Sequence, residues 1–233
     1  MALQSQDKFT IPAWSRETCV KWRQGFRGKY SAQRNSRAVF RMARAYLGRR
    51  ILDAGCGDGA MLDEIRRRLP RAEPVGLDVE ANDAAGIVGG DILHLPFESG
   101  AFDSVLSMDV LEHLPVESLG AALQEIRRVL KPGGYLCATV PKDEDLRAGL
   151  VICPECHKWS HPMGHTQAFS AENLKNRLTR AGFSDIVIRS YGVHLYHYLG
   201  ALAPCMSVIG RRFLPNLPWD DTFFAAAQSS TSE

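Results

Sequence analysis

The period of apolar and polar positions changes repeatedly along the chain. From Ser31 to Leu47 it is helical: Val39, Met42, Ala43 and Tyr46 share one side, and Arg34, Arg37, Arg41 and Arg44 stripe the other. Gly48 ends this segment. Short apolar runs then alternate with helix-period segments. They predict strands at Arg50–Ala54, Pro74–Asp78, Gly86–Gly90, Phe102–Met108, Tyr135–Val140, Asp185–Arg189 and Thr222–Gln228. Helices are predicted at Ala60–Leu69, stopped by Pro70, at Val116–Leu130 and at Ser170–Ala181. Ser170 supplies the last of these with an N-cap, and Gly182 lies just past its end. Lys131-Pro-Gly-Gly134 reads as a turn. Strands alternating with helices imply an α/β fold, doubly wound, with a mostly parallel sheet covered on both faces.

Composition changes this picture little. The 233 residues are 45% apolar and 23% charged, which excludes fibrous and disordered classes for the body of the chain. The net charge of +2 conceals an asymmetry: residues 16–50 hold eleven Lys/Arg and one acid, Glu17. Residues 1–30 are irregular and rich in aromatics, including Trp14, Trp22 and Tyr30. The polar start, Met1 to Trp14, lacks an apolar leader, so a cytoplasmic location is expected, and the six unevenly spaced cysteines read as thiols or metal ligands.

The densest chemical signal is Ile51-Leu-Asp-Ala-Gly-Cys-Gly-Asp-Gly59. A strand ends at Asp53, then Gly55, Gly57 and Gly59 alternate with Cys56 and Asp58 before a helix. Glycines there allow a tight turn and close approach of a ligand, and the helix start offers N–H donors. In dinucleotide-binding folds the third glycine follows the second by three residues; here the step is two and an acid precedes the first. Asp78 ends the second strand, where an acid binds ribose hydroxyls. Gly90-Asp91-Ile92, Met108-Asp109 and Leu130-Lys-Pro-Gly-Gly134 follow in order.

These motifs resemble the class I S-adenosylmethionine-dependent methyltransferases of the small-molecule type with a D-x-G-x-G-x-G sequence. The resemblance runs through residues 49–141 at least. It implies a seven-stranded Rossmann-like sheet whose last strand is antiparallel. It implies that Asp53, Gly55, Cys56, Gly57 and Gly59 border the methionine part of the cofactor, with Asp53 near its amino group. Asp78 and Val79 would hold the ribose, and Asp91 and Ile92 would border the adenine. Met108 and Asp109 would lie beside the methyl. Only twelve residues separate Asp78 from Asp91, so the helix expected between them must be short.

Methyl transfer needs no covalent enzyme nucleophile, because the cofactor carries the difficult chemistry. A hydroxyl acceptor needs a base; His113 and Asp109 are candidates, although His113 also reads as a residue that packs the helix start. Glu112 reads as solvated or structural. Cys153, Cys156, His161 and His165 are spaced C-x2-C-x4-H-x3-H, a plausible tetrahedral zinc set. His157 can replace His161 in it, His165 can instead face the acceptor, and free thiols or a redox pair are the other readings.

The chain divides into an arm and cap helix, 1–48, and a methyltransferase domain, 49–233, carrying the zinc-like loop 150–168 and an apolar insertion 191–218. Residues 190–210 hold no Asp, Glu, Lys or Arg. A membrane span there would separate strands that must pair, so the insertion reads as helical and as lining the acceptor pocket, or as dipping into a bilayer. The Arg stripe with Arg211 and Arg212 can meet anionic lipid or a phosphate-bearing acceptor. No recognised module supports a nucleic-acid partner, and oligomeric state is silent. The function read from the sequence is methyl transfer, with O-methylation first, to a small-molecule or lipid-like acceptor. The alternatives are a zinc-bearing methyltransferase of RNA or protein, and a non-catalytic cofactor-binding module.

Overall fold

A computed structural model describes residues 32–80, 86–148, 150–152, 159–161, 163–192 and 222–230. The arm before Ala32, Cys153, Cys156, His157 and the apolar insertion from residue 193 onward lie outside the described residues.

Helix α1 (Ala32–Ala43) runs into a 3-10 turn, Arg44–Tyr46. Strand β1 (Arg50–Ala54) leads to α2 (Ala60–Arg68) and β2 (Glu73–Asp78). Then come β3 (Ile87–Gly89), β4 (Phe102–Met108), a 3-10 turn at Leu111–His113, α3 (Leu119–Val129) and β5 (Leu130–Pro141). The short pair β6 (Val151–Ile152) and β7 (Trp159–Ser160) precedes α4 (Ala171–Arg180), β8 (Phe183–Tyr191) and β9 (Thr222–Ser229). The main sheet has seven strands in the order β3-β2-β1-β4-β5-β9-β8. Pairings among β1 to β5 are parallel, and β9 runs antiparallel between β5 and β8.

Alternation along β1 sends Ile51 and Leu52 to opposite faces of the sheet, and both are fully buried. On one face Leu52, Leu77, Phe102, Val105 and Leu136 pack with Leu119, Leu123 and Ile126 of α3 and Leu174 and Leu178 of α4. On the other, Ile51, Leu106, Cys137 and Phe224 pack with Val39, Phe40 and Ala43 of α1 and with Met61 and Ile65 of α2. Each buried Val, Leu, Ile, Phe or Met among them contributes about 1.5–3 kcal/mol. Arg37, Arg41 and Arg44 stay exposed on the outer side of the α1 segment.

Most boundaries shift by one or two residues, and two shifts are larger. Lys131–Gly134 is not a free turn but a bulge within β5. Leu130 pairs with Phe102, and the ladder resumes only at Tyr135 opposite Ser104. Lys131 Nζ fastens the bulge to Asp103 at 2.6 Å. Helix α3 begins at Leu119 rather than Val116, because Ser118 N first donates to Pro115 O in a separate turn. The predicted cap of α4 is present: Ser170 Oγ accepts from Asn173 N at 3.2 Å. Among the described residues no helix is long and apolar enough to cross a membrane.

Strand order reverses direction at β1, between β2 and β4. The crevice at the carboxyl ends of such strands is where ligands bind in open α/β sheets.

Candidate functional site

The turn after β1 is pinned to β2. Gly55 N and Cys56 N both donate to Leu77 O, at 2.7 and 3.1 Å. Gly55 has φ +88°, and a Cβ there would sit 2.4 Å from Val110 Cγ2, so only glycine lets the β4 loop close over this turn. Gly57 has φ +56°, and a Cβ there would meet nothing within 4 Å. Its amide donates to Asp78 Oδ2 at 2.9 Å. Gly59 caps α2 at φ +84°. An open backbone cradle beside a buried acid fits a polar, elongated cofactor.

Asp53 and Asp78 stand at the ends of adjacent strands, 2% and 1% exposed. Burial, and then the Asp78 carboxylate, push Asp53 up to about 7. Asp78 Oδ1 accepts from Glu80 N at 3.1 Å, which fixes the chain at Val79. After β3, Asp91 Oδ1 accepts from Leu93 N at 2.9 Å, and Ile92 is buried against the core. Arg128 of α3 holds this segment: it donates to Phe97 O at 2.8 Å, to Leu95 O at 2.9 Å and to Glu125. Glu125 in turn accepts from Leu95 N at 2.9 Å.

Met108 ends β4, and Asp109 follows at φ +54°, a left-handed conformation unusual for a non-glycine residue. Thr139 of β5 holds it there. Asp109 N donates to Thr139 Oγ1 at 3.1 Å, and Thr139 Oγ1 donates to Asp109 Oδ1 at 2.7 Å. The 3-10 turn that follows is zipped to a distant segment. Thr166 N donates to Glu112 O at 2.8 Å, and Gln167 Nε2 donates to Leu111 O and Leu114 O at 3.0 and 2.8 Å.

That zipper brings five titratable side chains together. His113 Nδ1 lies 3.2 Å from Gly164 O, and its ring meets that of His165 edge-on at 4.9 Å. His165 stacks on His161 at 4.8 Å and lies 2.6 Å from Glu144 through Nδ1. Glu112, read from the sequence as solvated or structural, is not solvated: it is 1% exposed, and neither carboxyl oxygen has a hydrogen-bond partner among the described residues. Burial holds its carboxyl well above the usual range, and the carboxylates of Asp109 and Glu144 raise it further. Burial lowers His161, against the pull of Glu144.

The structure therefore joins His161 and His165, as the spacing suggested, but surrounds them with carboxylates that the spacing did not indicate. Glu144 was missed altogether. It sits in the run Asp143-Glu-Asp145 after β5, where nothing in the sequence separates one acid from its neighbours. A separate groove of about 480 Å³, lined by Val116, Leu119, Leu123 and Arg177 among others, contains none of the motif residues.

Known proteins share this architecture. A family model described as a methyltransferase domain matches residues 26–187. A protein of Encephalitozoon cuniculi named as a methyltransferase is 41% identical over 88 residues, 37% of this chain and 42% of that protein. The malonyl-(acyl-carrier protein) O-methyltransferase of Legionella pneumophila is 35% identical over 103 residues, 39% of this chain and 36% of that protein. The chain thus spans less than half the length of these curated relatives. The 1,6-didemethyltoxoflavin-N1-methyltransferase of Burkholderia thailandensis, crystallised with 1,6-didemethyltoxoflavin and S-adenosylhomocysteine, superposes with a TM-score of 0.67 at 15% identity. The match covers 98% of this chain and 99% of that one, and at this identity it speaks for the fold alone.

Proposed function

Because the chain belongs to the methyltransferase-domain family, as an S-adenosylmethionine-dependent enzyme of class I, we propose that it methylates an oxygen of a small-molecule or lipid-like acceptor. The observation that carries this reading is the contact of two loops at the strand ends. Val110, in the loop of Asp109, Glu112 and His113, lies directly over Gly55 of the glycine turn. The polar cluster is thereby next to the cofactor cradle.

In this reading the Asp53 carboxylate takes the amino group of the cofactor, and the backbone at Gly55 and Gly57 passes its methionine part. Asp78, with Val79 beside it, takes the ribose hydroxyls; Asp91 and Ile92 border the adenine. Bound there, S-adenosylmethionine supplies a methyl group on a sulfonium, which needs in-line placement more than acid or base help. Met108 and the strained Asp109 set the floor at that point. An acceptor hydroxyl must give up its proton at this edge, and Asp109 and His113 are the groups facing that task. The Legionella relative, named for O-methylation, supports oxygen as the acceptor atom.

The test is product analysis. Purified full-length chain is incubated with S-adenosylmethionine and a panel of phenols, hydroxy acids, carboxylic acids and amines, with S-adenosylhomocysteine and acceptor mass followed together. Methylated oxygen products support the proposal. Transfer confined to nitrogen or carbon overturns it, and so does failure to bind the cofactor.

A further inference from the structure

Beyond the cofactor cradle, the geometry points to a binding site for a first-row divalent cation, held by Glu112, His113 and His165. Glu112 is the starting point. It is 1% exposed, and neither carboxyl oxygen has a hydrogen-bond partner among the described residues. A buried carboxyl without a partner calls for a physical explanation, and a bound ion is one that also accounts for the imidazoles beside it. His165 Nε2 lies 4.0 Å from Glu112 Oε1.

The two histidines are oriented as ligands are. A carbonyl oxygen only accepts, so His113 Nδ1 carries the hydrogen given to Gly164 O, and Nε2 carries the lone pair. His165 Nδ1 donates to Glu144 Oε2 at 2.6 Å, which leaves its lone pair on Nε2, the atom facing Glu112. Imidazoles whose second nitrogen is tied to a carboxylate or a backbone carbonyl are the usual outer-shell arrangement of metal sites. One ring nitrogen of each histidine and a carboxyl oxygen of Glu112 lie within 4.8 Å of one another, so a small closure of the three side chains brings them to coordination distance.

Glu144, His161 and His165 form a second cluster of the same size. There, however, His161 Nδ1 accepts from His165 N at 3.4 Å, so the lone pair is used, and the Nε2 hydrogen is turned to Glu144 at 3.6 Å. That group is complete as a hydrogen-bonded support. Glu144 and His161 are therefore positioning residues for His165.

Two imidazoles and one carboxylate suit zinc, cobalt, iron or nickel in preference to magnesium or calcium. Three protein ligands leave coordination positions open, unlike a closed structural zinc. Resting on the methyl-transfer reading, the open position takes the acceptor oxygen. Of the two groups that face the acceptor proton, His113 is then a ligand, and the base is Asp109.

Full-length protein stripped with a chelator is titrated with cobalt(II), with metal content and the visible cobalt spectrum recorded. Cofactor affinity is measured on the same samples by calorimetry. One cobalt per chain is expected, and Glu112→Gln and His165→Asn should each weaken it roughly 100-fold or more. Glu144→Gln should weaken it about tenfold. The pair Cys153→Ser with Cys156→Ser should leave it unchanged. No cobalt bound by the wild type overturns the site, as does undiminished binding by Glu112→Gln. Loss of metal only in the cysteine pair also overturns it, in favour of a closed thiolate site. If Glu112→Gln fails to fold, His113→Gln takes its place with the same criterion. Cobalt loss with intact cofactor binding refutes this inference alone; loss of cofactor binding by the wild type refutes the methyl-transfer reading.

Discussion

The Asp78 carboxylate accepts a hydrogen bond from the Gly57 amide at 2.9 Å, tying the end of β2 to the glycine turn after β1. In the proposed function the same side chain both shapes the cradle and faces its ligand. Asp78→Ala removes that bond and the bond from Glu80 N, and, in the proposed function, the acceptor for two ribose hydroxyls. Hydrogen bonds to a charged group contribute about 1.5–3 kcal/mol each, so cofactor affinity should fall roughly 100-fold or more. Calorimetry giving the wild-type dissociation constant would remove Asp78 from the site.

Gly55 and Gly57 separate folding from binding. At Gly55 a methyl group would collide with Val110 in an already left-handed backbone. Gly55→Ala should lower stability by about 2–4 kcal/mol, read by thermal denaturation. At Gly57 the same change meets open space and pays only for φ +56°, about 1–2 kcal/mol. Gly57→Ala should fold and yet lose cofactor affinity, because its methyl enters the cradle. Equal melting losses in the two variants would contradict this assignment.

Arg128 acts at a distance from the cradle. Its guanidinium gathers Leu95 O, Phe97 O and Glu125, and so fixes the segment that carries Asp91 and Ile92. The pair with Glu125 is partly buried, and the hydrogen bond from Arg128 holds the Glu125 carboxyl below its usual range despite partial burial. Arg128→Ala should destabilise the fold by about 1–3 kcal/mol and weaken cofactor binding several-fold. Arg128→Lys, which cannot span three acceptors, should recover little of either. Full rescue by lysine in denaturation and binding assays would argue for charge alone.

Asp53 predicts a pH dependence with a definite sign. Burial, then the Asp78 carboxylate, raise it from 3.8 to about 7. The folded chain therefore keeps a proton that the unfolded chain releases near pH 4. The associated stability is full below about pH 4, declines as pH rises and is gone above about pH 7. It amounts to something on the order of 4 kcal/mol. Asp53→Asn should flatten the melting temperature across this window relative to the wild type. The cofactor's ammonium selects the ionised carboxylate, so affinity should rise between about pH 6 and pH 8 with proton release. Identical pH profiles for Asp53→Asn and wild type would exclude this.

The sheet and its ligand edge were legible because they are written locally. Short apolar runs such as Ile51–Ala54, the alternating glycines and the acids at strand ends each follow from a few neighbouring residues. The Lys131–Gly134 segment misled for the same reason: Pro-Gly-Gly has turn chemistry, and only pairing with β4 makes it a bulge.

What the sequence by itself determined is the parallel core, the glycine cradle and the position of Asp53, Asp78 and Asp109 along it. Hydrophobic period and backbone sterics act over a few residues, so they can be read there. What only the tertiary structure decided is the cluster of Glu112, His113, Glu144, His161 and His165. Its members lie up to 53 positions apart, and they meet because Thr166 and Gln167 zip a distant segment to the turn after β4. No local propensity encodes that meeting. Long-range hydrogen bonds and burial made it, and they turned Glu112 from an ordinary acid into an orphaned one.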